Sequence, residues 1–126
     1  MKDAVATIDV EMDPMAIGRL RTLGGEGLLS KMIDLFLEHS PRRIQAAHEG
    51  RKAGNWYEVE RAAHSMKSSA ANLGLTGLQG LAREIEELSI HQEAGRVDPL
   101  LGEIESIFPA IRVRLEEIRN GGSSKS

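Results

Sequence analysis

Apolar residues recur every three or four positions along most of this 126-residue chain, and no segment shows the strict alternation of a half-buried β-strand. The most regular stripe consists of Leu101, Ile104, Ile107, Phe108, Ile111, Leu115 and Ile118. Similar stripes are formed by Leu78, Leu81, Ala82, Ile85 and Leu88, and by Leu29, Met32, Ile33, Phe36, Ile44 and Ala47. This spacing predicts amphipathic α-helices that share one core.

Capping residues, prolines and glycines divide the pattern into helices. Asp13-Pro14 predicts the start of a short helix that reaches about Thr22 and is ended by the glycines at 24, 25 and 27. A long helix over about 26–51 follows, with a kink or local irregularity expected at Pro41.

Three further helices are predicted, over about 55–73, 76–91 and 98–119. Their starts are indicated by Asn55 with Glu58, by Thr76 with Gln79, and by Asp98-Pro99. We expect Gly74 to cap the first of them in a left-handed conformation, Gly95 to break the chain before the last, and Pro109 to bend the last.

Short connections between long helices favour antiparallel neighbours. The expected fold is therefore all-α, an antiparallel up-down four-helix bundle with a short additional N-terminal helix. The bundle should occupy residues 13–119, between a lead-in at 1–12 and a flexible tail at 120–126.

Composition excludes several classes of function. The chain has no cysteine, which excludes disulfides, thiolate metal sites and cysteine nucleophiles. Its net charge of −3 and its lack of a long basic run argue against nucleic-acid binding. No apolar stretch is as long as a membrane span and no signal peptide is recognisable, so we expect a cytoplasmic protein that does not bind a membrane.

The helix over 55–73 contains the candidate chemistry. At about 100° per residue, one side of this helix is apolar or small: Val59, Ala62, Met66, Ser69, Ala70 and Leu73. The opposite side holds Tyr57, Glu60, Arg61, His64, Lys67, Ser68 and Ala71. His64 should therefore project away from the core, with Lys67 one turn later and close enough to stabilise an anion on the ring.

The run from Ala63 to Gly74 resembles the signature of the histidine phosphotransfer (HPt) domains of bacterial multistep phosphorelays. That signature has a His, a Lys three residues later, two small residues, and a Gly ten residues after the His, which correspond to His64, Lys67, Ser68-Ser69 and Gly74. Many members have glycine where this chain has Ser68. The segments at 28–37, 53–56 and 73–78 are also similar to the family, and the resemblance extends over roughly 13–119.

The resemblance implies a phosphorelay intermediate in two-component signal transduction. His64 would accept a phosphoryl group from the aspartyl phosphate of a response-regulator receiver domain and pass it to another receiver, while Lys67 stabilises the phosphoryl oxygens. Tyr57, Glu60, Arg61, Ser68 and Ala71 would dock the partner. Glu60, one turn before His64, could hold the Nδ1 proton of the ring, but we expect a solvated carboxylate without a partner, because exposed helix pairs are individually weak.

The resemblance also implies that this chain binds no cofactor of its own, and that the partner receiver supplies Mg²⁺. The chain has no nucleotide-binding P-loop, because the glycines at 24–27 lack the Lys-Ser/Thr ending and a preceding strand. We therefore expect a phosphocarrier without autonomous kinase activity. A hybrid sensor kinase is the expected further partner, and a monomer is the expected state.

The sequence leaves two alternatives open. One is a metal-binding bundle that uses the Glu60/His64 and Glu87/His91 pairs, although their spacing of four differs from the Glu-x-x-His spacing of di-iron bundles. The other is a helical docking adaptor that binds a signalling partner without phosphotransfer. His39, His48 and His91 are expected to be ordinary surface histidines.

Overall fold

Residues 10–124 are described by a computed structural model, with side chains to residue 121, and this part of the chain forms four helices and no strand. They are α1 (Pro14–Ala53), α2 (Trp56–Asn72), α3 (Thr76–Ile90) and α4 (Ala94–Ser124). Each helix packs against its neighbours in sequence, and α4 closes the bundle by packing against α1. The predicted all-α four-helix bundle is confirmed.

The predicted short N-terminal helix is the first part of α1. Asp13 caps it by accepting a hydrogen bond from the backbone N–H of Met15 at 3.0 Å, with Pro14 as the first helical residue. Gly24 and Gly25 interrupt the helix with non-helical dihedral angles, and Gly25 has φ 71° and ψ −168°, which glycine adopts without strain. The helix then continues through Pro41, so the expected irregularity there does not interrupt it.

The helix boundaries differ from the predicted ones at both ends of α4. The helix begins at Ala94, and the predicted break at Gly95 and start at Asp98-Pro99 are wrong. Val97 is fully buried, and its N–H bonds to the carbonyl of Glu93 at 3.0 Å. Burial of this side chain thus favours an additional helical turn before Pro99.

The predicted tail at 120–126 overlaps α4, which continues to Ser124 through Pro109. Ile118 packs against the core, and Arg119 forms an ion pair with Asp34 of α1, so the end of the helix is attached to the bundle. Residues 125 and 126 lie outside the described part of the chain. So do residues 1–9 of the predicted lead-in, whereas Val10 and Met12 pack against the core.

The core is aliphatic apart from one aromatic pair. Phe36 of α1 and Phe108 of α4 stack with their ring centroids 6.0 Å apart. The largest fully buried side chains come from all four helices and from the α2–α3 turn: Leu29, Ile33, Val59, Met66, Leu73, Leu75, Ile85, Val97, Leu101, Ile104 and Leu115. This core holds α2 with one fixed face toward solvent.

Candidate functional site

The buried face of α2 is the predicted one. Val59, Ala62, Met66 and Ala70 are buried, as is Leu73 at the end of the helix. Ala63 is also fully buried. The side chain of His64 keeps 61% of its surface exposed, so it projects away from the core as expected.

A tight turn sets how α2 and α3 face each other. Gly74 has φ 71°, the left-handed conformation expected for it, between the buried side chains of Leu73 and Leu75. Its carbonyl accepts a hydrogen bond from the N–H of Asp13 at 2.7 Å. α3 starts at Thr76 with Leu75 as the preceding cap and no side-chain cap, so the predicted role of Thr76 as the cap is wrong.

This turn brings Glu86 of α3 to the two candidate residues of α2. Glu86 Oε2 lies 2.8 Å from His64 Nδ1, and Glu86 Oε1 lies 2.6 Å from Lys67 Nζ. The Glu86 side chain is only 18% exposed, and that of Lys67 29%. The Glu86 carboxylate therefore contacts both His64 and Lys67, one with each oxygen.

The charge state of Glu86 follows from these contacts. Burial acts to raise the pKa of its carboxyl group, but the hydrogen bonds from Lys67 and His64 and the charge of Lys67 outweigh burial. The pKa of Glu86 is therefore lowered from its ordinary value, and the carboxylate is ionised at neutral pH.

An ionised carboxylate only accepts hydrogen bonds. The ring nitrogen that faces Glu86 must then be the donor, which places the proton of neutral His64 on Nδ1. The lone pair of the neutral ring is consequently on Nε2. A neutral imidazole with an unprotonated Nε2, beside a lysine ammonium, is suited to attack an electrophile that carries negative charge, such as a phosphoryl group.

The glutamate predicted as a possible holder of the Nδ1 proton was Glu60. Glu60 is half-buried on α2 and makes no hydrogen bond or ion pair with His64 among the described residues, while Glu86 occupies that position. Sequence reasoning missed Glu86 because it lies on another helix. A signal was available: His64 is ten residues before Gly74 and Glu86 is twelve residues after it, so an antiparallel hairpin brings them together.

The other predicted docking residues surround His64 on α2. Tyr57, Arg61, Ser68 and Ala71 are exposed. The guanidinium of Arg61 lies 5.7 Å from the centre of the Tyr57 ring, and its Nη1 donates a hydrogen bond to the Tyr57 hydroxyl at 3.5 Å. That hydrogen bond raises the pKa of Arg61. The pair forms an exposed cationic and aromatic surface two turns before Ser68.

The remaining histidines lie apart from the cluster of His64, Lys67 and Glu86. His39 and His91 are exposed, whereas His48 is half-buried with its Nε2 at 3.1 Å from Glu105 Oε2 of α4. In the described part of the chain, no three His, Asp or Glu side chains are grouped in a way that would hold a metal ion. Within residues 10–124, no helix is both long and apolar enough to span a membrane.

A family model for the Hpt domain matches residues 31–121, more than two thirds of the chain and all three residues of the cluster. The chain belongs to the Hpt domain family. Hpt domains are phosphocarriers rather than kinases, and membership supports a phosphotransfer-relay role in two-component signalling.

A solved Hpt structure has the same fold. The crystal structure of histidine-containing phosphotransfer protein B (HptB) from Pseudomonas aeruginosa PAO1 superposes with a TM-score of 0.82 at 24% sequence identity. The match covers 87% of this chain and 95% of that chain. No curated protein sequence matches this chain significantly.

Proposed function

We propose that this Hpt domain accepts a phosphoryl group on Nε2 of His64 from a receiver-domain aspartyl phosphate and passes it to another receiver. The observation that supports the proposal is the arrangement of His64, Lys67 and Glu86. It leaves Nε2 unprotonated and exposed, and holds a cation one turn away.

The chemistry follows from these positions. The Nε2 lone pair attacks phosphorus in line, and the aspartate carboxylate of the receiver leaves on the opposite side. Lys67 offsets negative charge on the phosphoryl oxygens, which requires its Nζ to leave or share its contact with Glu86. The Mg²⁺ that such transfer uses belongs to the receiver in this proposal, and this chain supplies no nucleotide site.

The partners are receiver domains at both steps, and a hybrid sensor kinase is proposed as the upstream source. Tyr57, Arg61, Ser68 and Ala71 surround the acceptor on α2, so a receiver that reaches Nε2 would touch them. The small side chains of Ser68 and Ala71 allow the close approach that in-line transfer needs. We propose a monomer, because the bundle is self-contained and has one exposed acceptor. The cytoplasm is the proposed location.

The test is phosphotransfer from a broad panel of radiolabelled, phosphorylated receiver domains to the wild type and to His64→Gln. We expect label on the wild type alone, labile in acid and stable in alkali. Because the His64 side chain is largely exposed, His64→Gln should change the free energy of unfolding by no more than about 1 kcal/mol. A wild type that takes no label from any receiver would overturn the proposal and favour a docking adaptor.

A further inference from the structure

We propose that Glu86 keeps the Nδ1 proton on the imidazole while His64 is phosphorylated, so that the ring can leave as a neutral imidazole in the next transfer. This inference rests on the proposed acceptor role of His64. It assigns Glu86 a positioning role that acts on the phosphorylated state.

The proton balance of the two transfers defines the problem. In the first transfer the N–P bond forms, the P–O bond to aspartate breaks, and the electron pair leaves on the carboxylate. The ring then carries the phosphoryl group on Nε2 and the proton on Nδ1, with a net positive charge. In the second transfer an aspartate carboxylate oxygen of the next receiver forms a P–O bond, the N–P bond breaks and its electron pair returns to Nε2. This regenerates neutral imidazole with its Nδ1 proton.

Loss of the Nδ1 proton between the two transfers would block the second one. A phosphorylated ring without this proton can leave only as imidazolate, which is a far poorer leaving group than imidazole. Imidazole titrates near neutral pH, so an exposed phosphorylated ring would be partly deprotonated at Nδ1 at this pH. The onward step would then depend on reprotonation from solvent.

The position of Glu86 suits the retention of that proton. Its Oε2 lies 2.8 Å from Nδ1, and its side chain is mostly buried, so the positively charged ring faces an ionised carboxylate with little intervening water. Lys67 Nζ contacts the other oxygen, Oε1, which leaves Oε2 to His64. The lowered pKa of Glu86 supports this, because the carboxylate stays ionised and stabilises the protonated Nδ1 without accepting its proton.

The charged groups around the ring come from two helices. Glu86 faces it from α3 and Lys67 from its own helix, and no charged side chain of α1 in the described residues forms an ion pair with His64. The cation of Lys67 opposes a positive ring, and once it turns to the phosphoryl oxygens Glu86 is left to the ring alone. Glu86 should therefore hold the Nδ1 proton more firmly in the phosphorylated protein than in the resting protein, where it is shared between His64 and Lys67.

The test compares the wild type with Glu86→Gln. Glutamine keeps the length of the side chain and can still accept a hydrogen bond from Nδ1, so His64 should still be phosphorylated. Each phosphorylated protein is isolated and mixed with an unphosphorylated receiver at a series of pH values. We expect the wild-type transfer rate to vary less than about twofold between about pH 6.5 and 8.5. The Glu86→Gln rate should fall about tenfold per pH unit above about pH 7.

Two controls separate proton retention from loss of charge or of Lys67 contacts. Glu84→Gln removes an exposed carboxylate of α3 that makes no hydrogen bond or ion pair among the described residues, and its profile should match the wild type. Lys67→Met should lower the rate at every pH without changing the shape of the profile.

A direct readout is the ¹⁵N spectrum of phosphorylated, histidine-labelled protein at about pH 8. We expect a protonated Nδ1 on His64 in the wild type and an unprotonated one in Glu86→Gln. Equal spectra and parallel pH profiles in these two proteins would overturn the inference while His64 remains the acceptor. A wild type that is never phosphorylated on His64 would instead overturn the proposed function.

Discussion

Lys67 Nζ lies 2.6 Å from Glu86 Oε1, in an ion pair that links α2 to α3 beside the exposed imidazole of His64. The lysine is therefore held by a carboxylate in the resting protein, and it must leave or share that contact when a phosphoryl group arrives. Because both partners are largely shielded from solvent, removal of either one would leave the other as an uncompensated charge and would destabilise the bundle.

The stability contribution of Glu86 should depend on pH. Its pKa in the folded protein is lower than in the unfolded chain, because hydrogen bonds from Lys67 and His64 outweigh the opposite effect of burial. Such a group stabilises the fold above its unfolded pKa, and that stabilisation is lost as the pH falls through the folded pKa. Urea unfolding at about pH 7 and about pH 3 should therefore show wild type more stable than Glu86→Gln at neutral pH, with a smaller difference at acid pH.

Glu84→Gln provides the control for that experiment. Glu84 is exposed on the same helix, so its replacement should leave the unfolding free energy within about 0.5 kcal/mol of the wild type at both pH values. A difference between wild type and Glu86→Gln that stays constant from neutral to acid pH would contradict the assigned charge state.

Removal of the Lys67 ammonium should slow phosphotransfer while the protein stays folded. A charge-assisted hydrogen bond to the phosphoryl group is worth about 1.5–3 kcal/mol, so Lys67→Ala should reduce the transfer rate by about 10- to 100-fold. Single-turnover transfer from a phosphorylated receiver measures this rate, and circular dichroism confirms the helices. A wild-type rate in Lys67→Ala would show that Lys67 serves only the ion pair with Glu86.

Met66→Asp should unfold the bundle, because Met66 is 1% exposed and an unpaired charge at this position would have to be desolvated. The cost of several kcal/mol is a large part of the about 5–15 kcal/mol that stabilises a typical domain. Met66→Leu keeps the volume and the apolar character, so it should cost less than about 1.5 kcal/mol. Thermal unfolding checks both, and a folded Met66→Asp would mean that α2 is rotated.

Gly74→Ala should destabilise the protein although the change adds a single methyl group. Gly74 has φ 71°, and an added Cβ would lie 2.6 Å from the Cβ of Ala16 and 2.7 Å from the carbonyl oxygen of Asp13. Strain and overlap together should cost more than about 1 kcal/mol.

Gly80→Ala is the matched control for this change. Gly80 lies inside α3 with nothing within 4 Å of its added Cβ, so alanine should stabilise the helix by about 0.5–1 kcal/mol. Urea unfolding of the two variants should therefore shift in opposite directions. A Gly74→Ala variant as stable as the wild type would contradict the close packing of the α2–α3 turn.

Most of the fold could be predicted from local pattern because each helix has its own apolar stripe. The break at Gly24 and Gly25 could also be predicted, since glycine adopts conformations such as the positive φ of Gly25 that other residues avoid. The start of α4 could not be predicted from local sequence. Gly95 and Pro99 are locally unfavourable in a helix, and they are accommodated because Val97 reaches the core, which is a tertiary effect.

The candidate site was predictable only as far as a single helix defines it. The positions of His64 and Lys67 on the outer face of α2 follow from the period of that helix. The role of Glu86 depends on the packing of α3 against α2. In the sequence of α3 alone, Glu86 looks like one of several solvated carboxylates. The pairing of helices, and with it the tautomer of His64, required the three-dimensional arrangement.

The decisive measurement identifies the atom of His64 that carries the phosphoryl group. The protein, labelled with ¹⁵N-histidine, is phosphorylated by a phosphorylated receiver, and ³¹P–¹⁵N coupling identifies the bonded nitrogen. We expect one phosphoryl group, on Nε2 of His64, because Glu86 occupies the Nδ1 side of the ring. A phosphoryl group on Nδ1 of His64, or on His39, His48 or His91, would contradict this expectation.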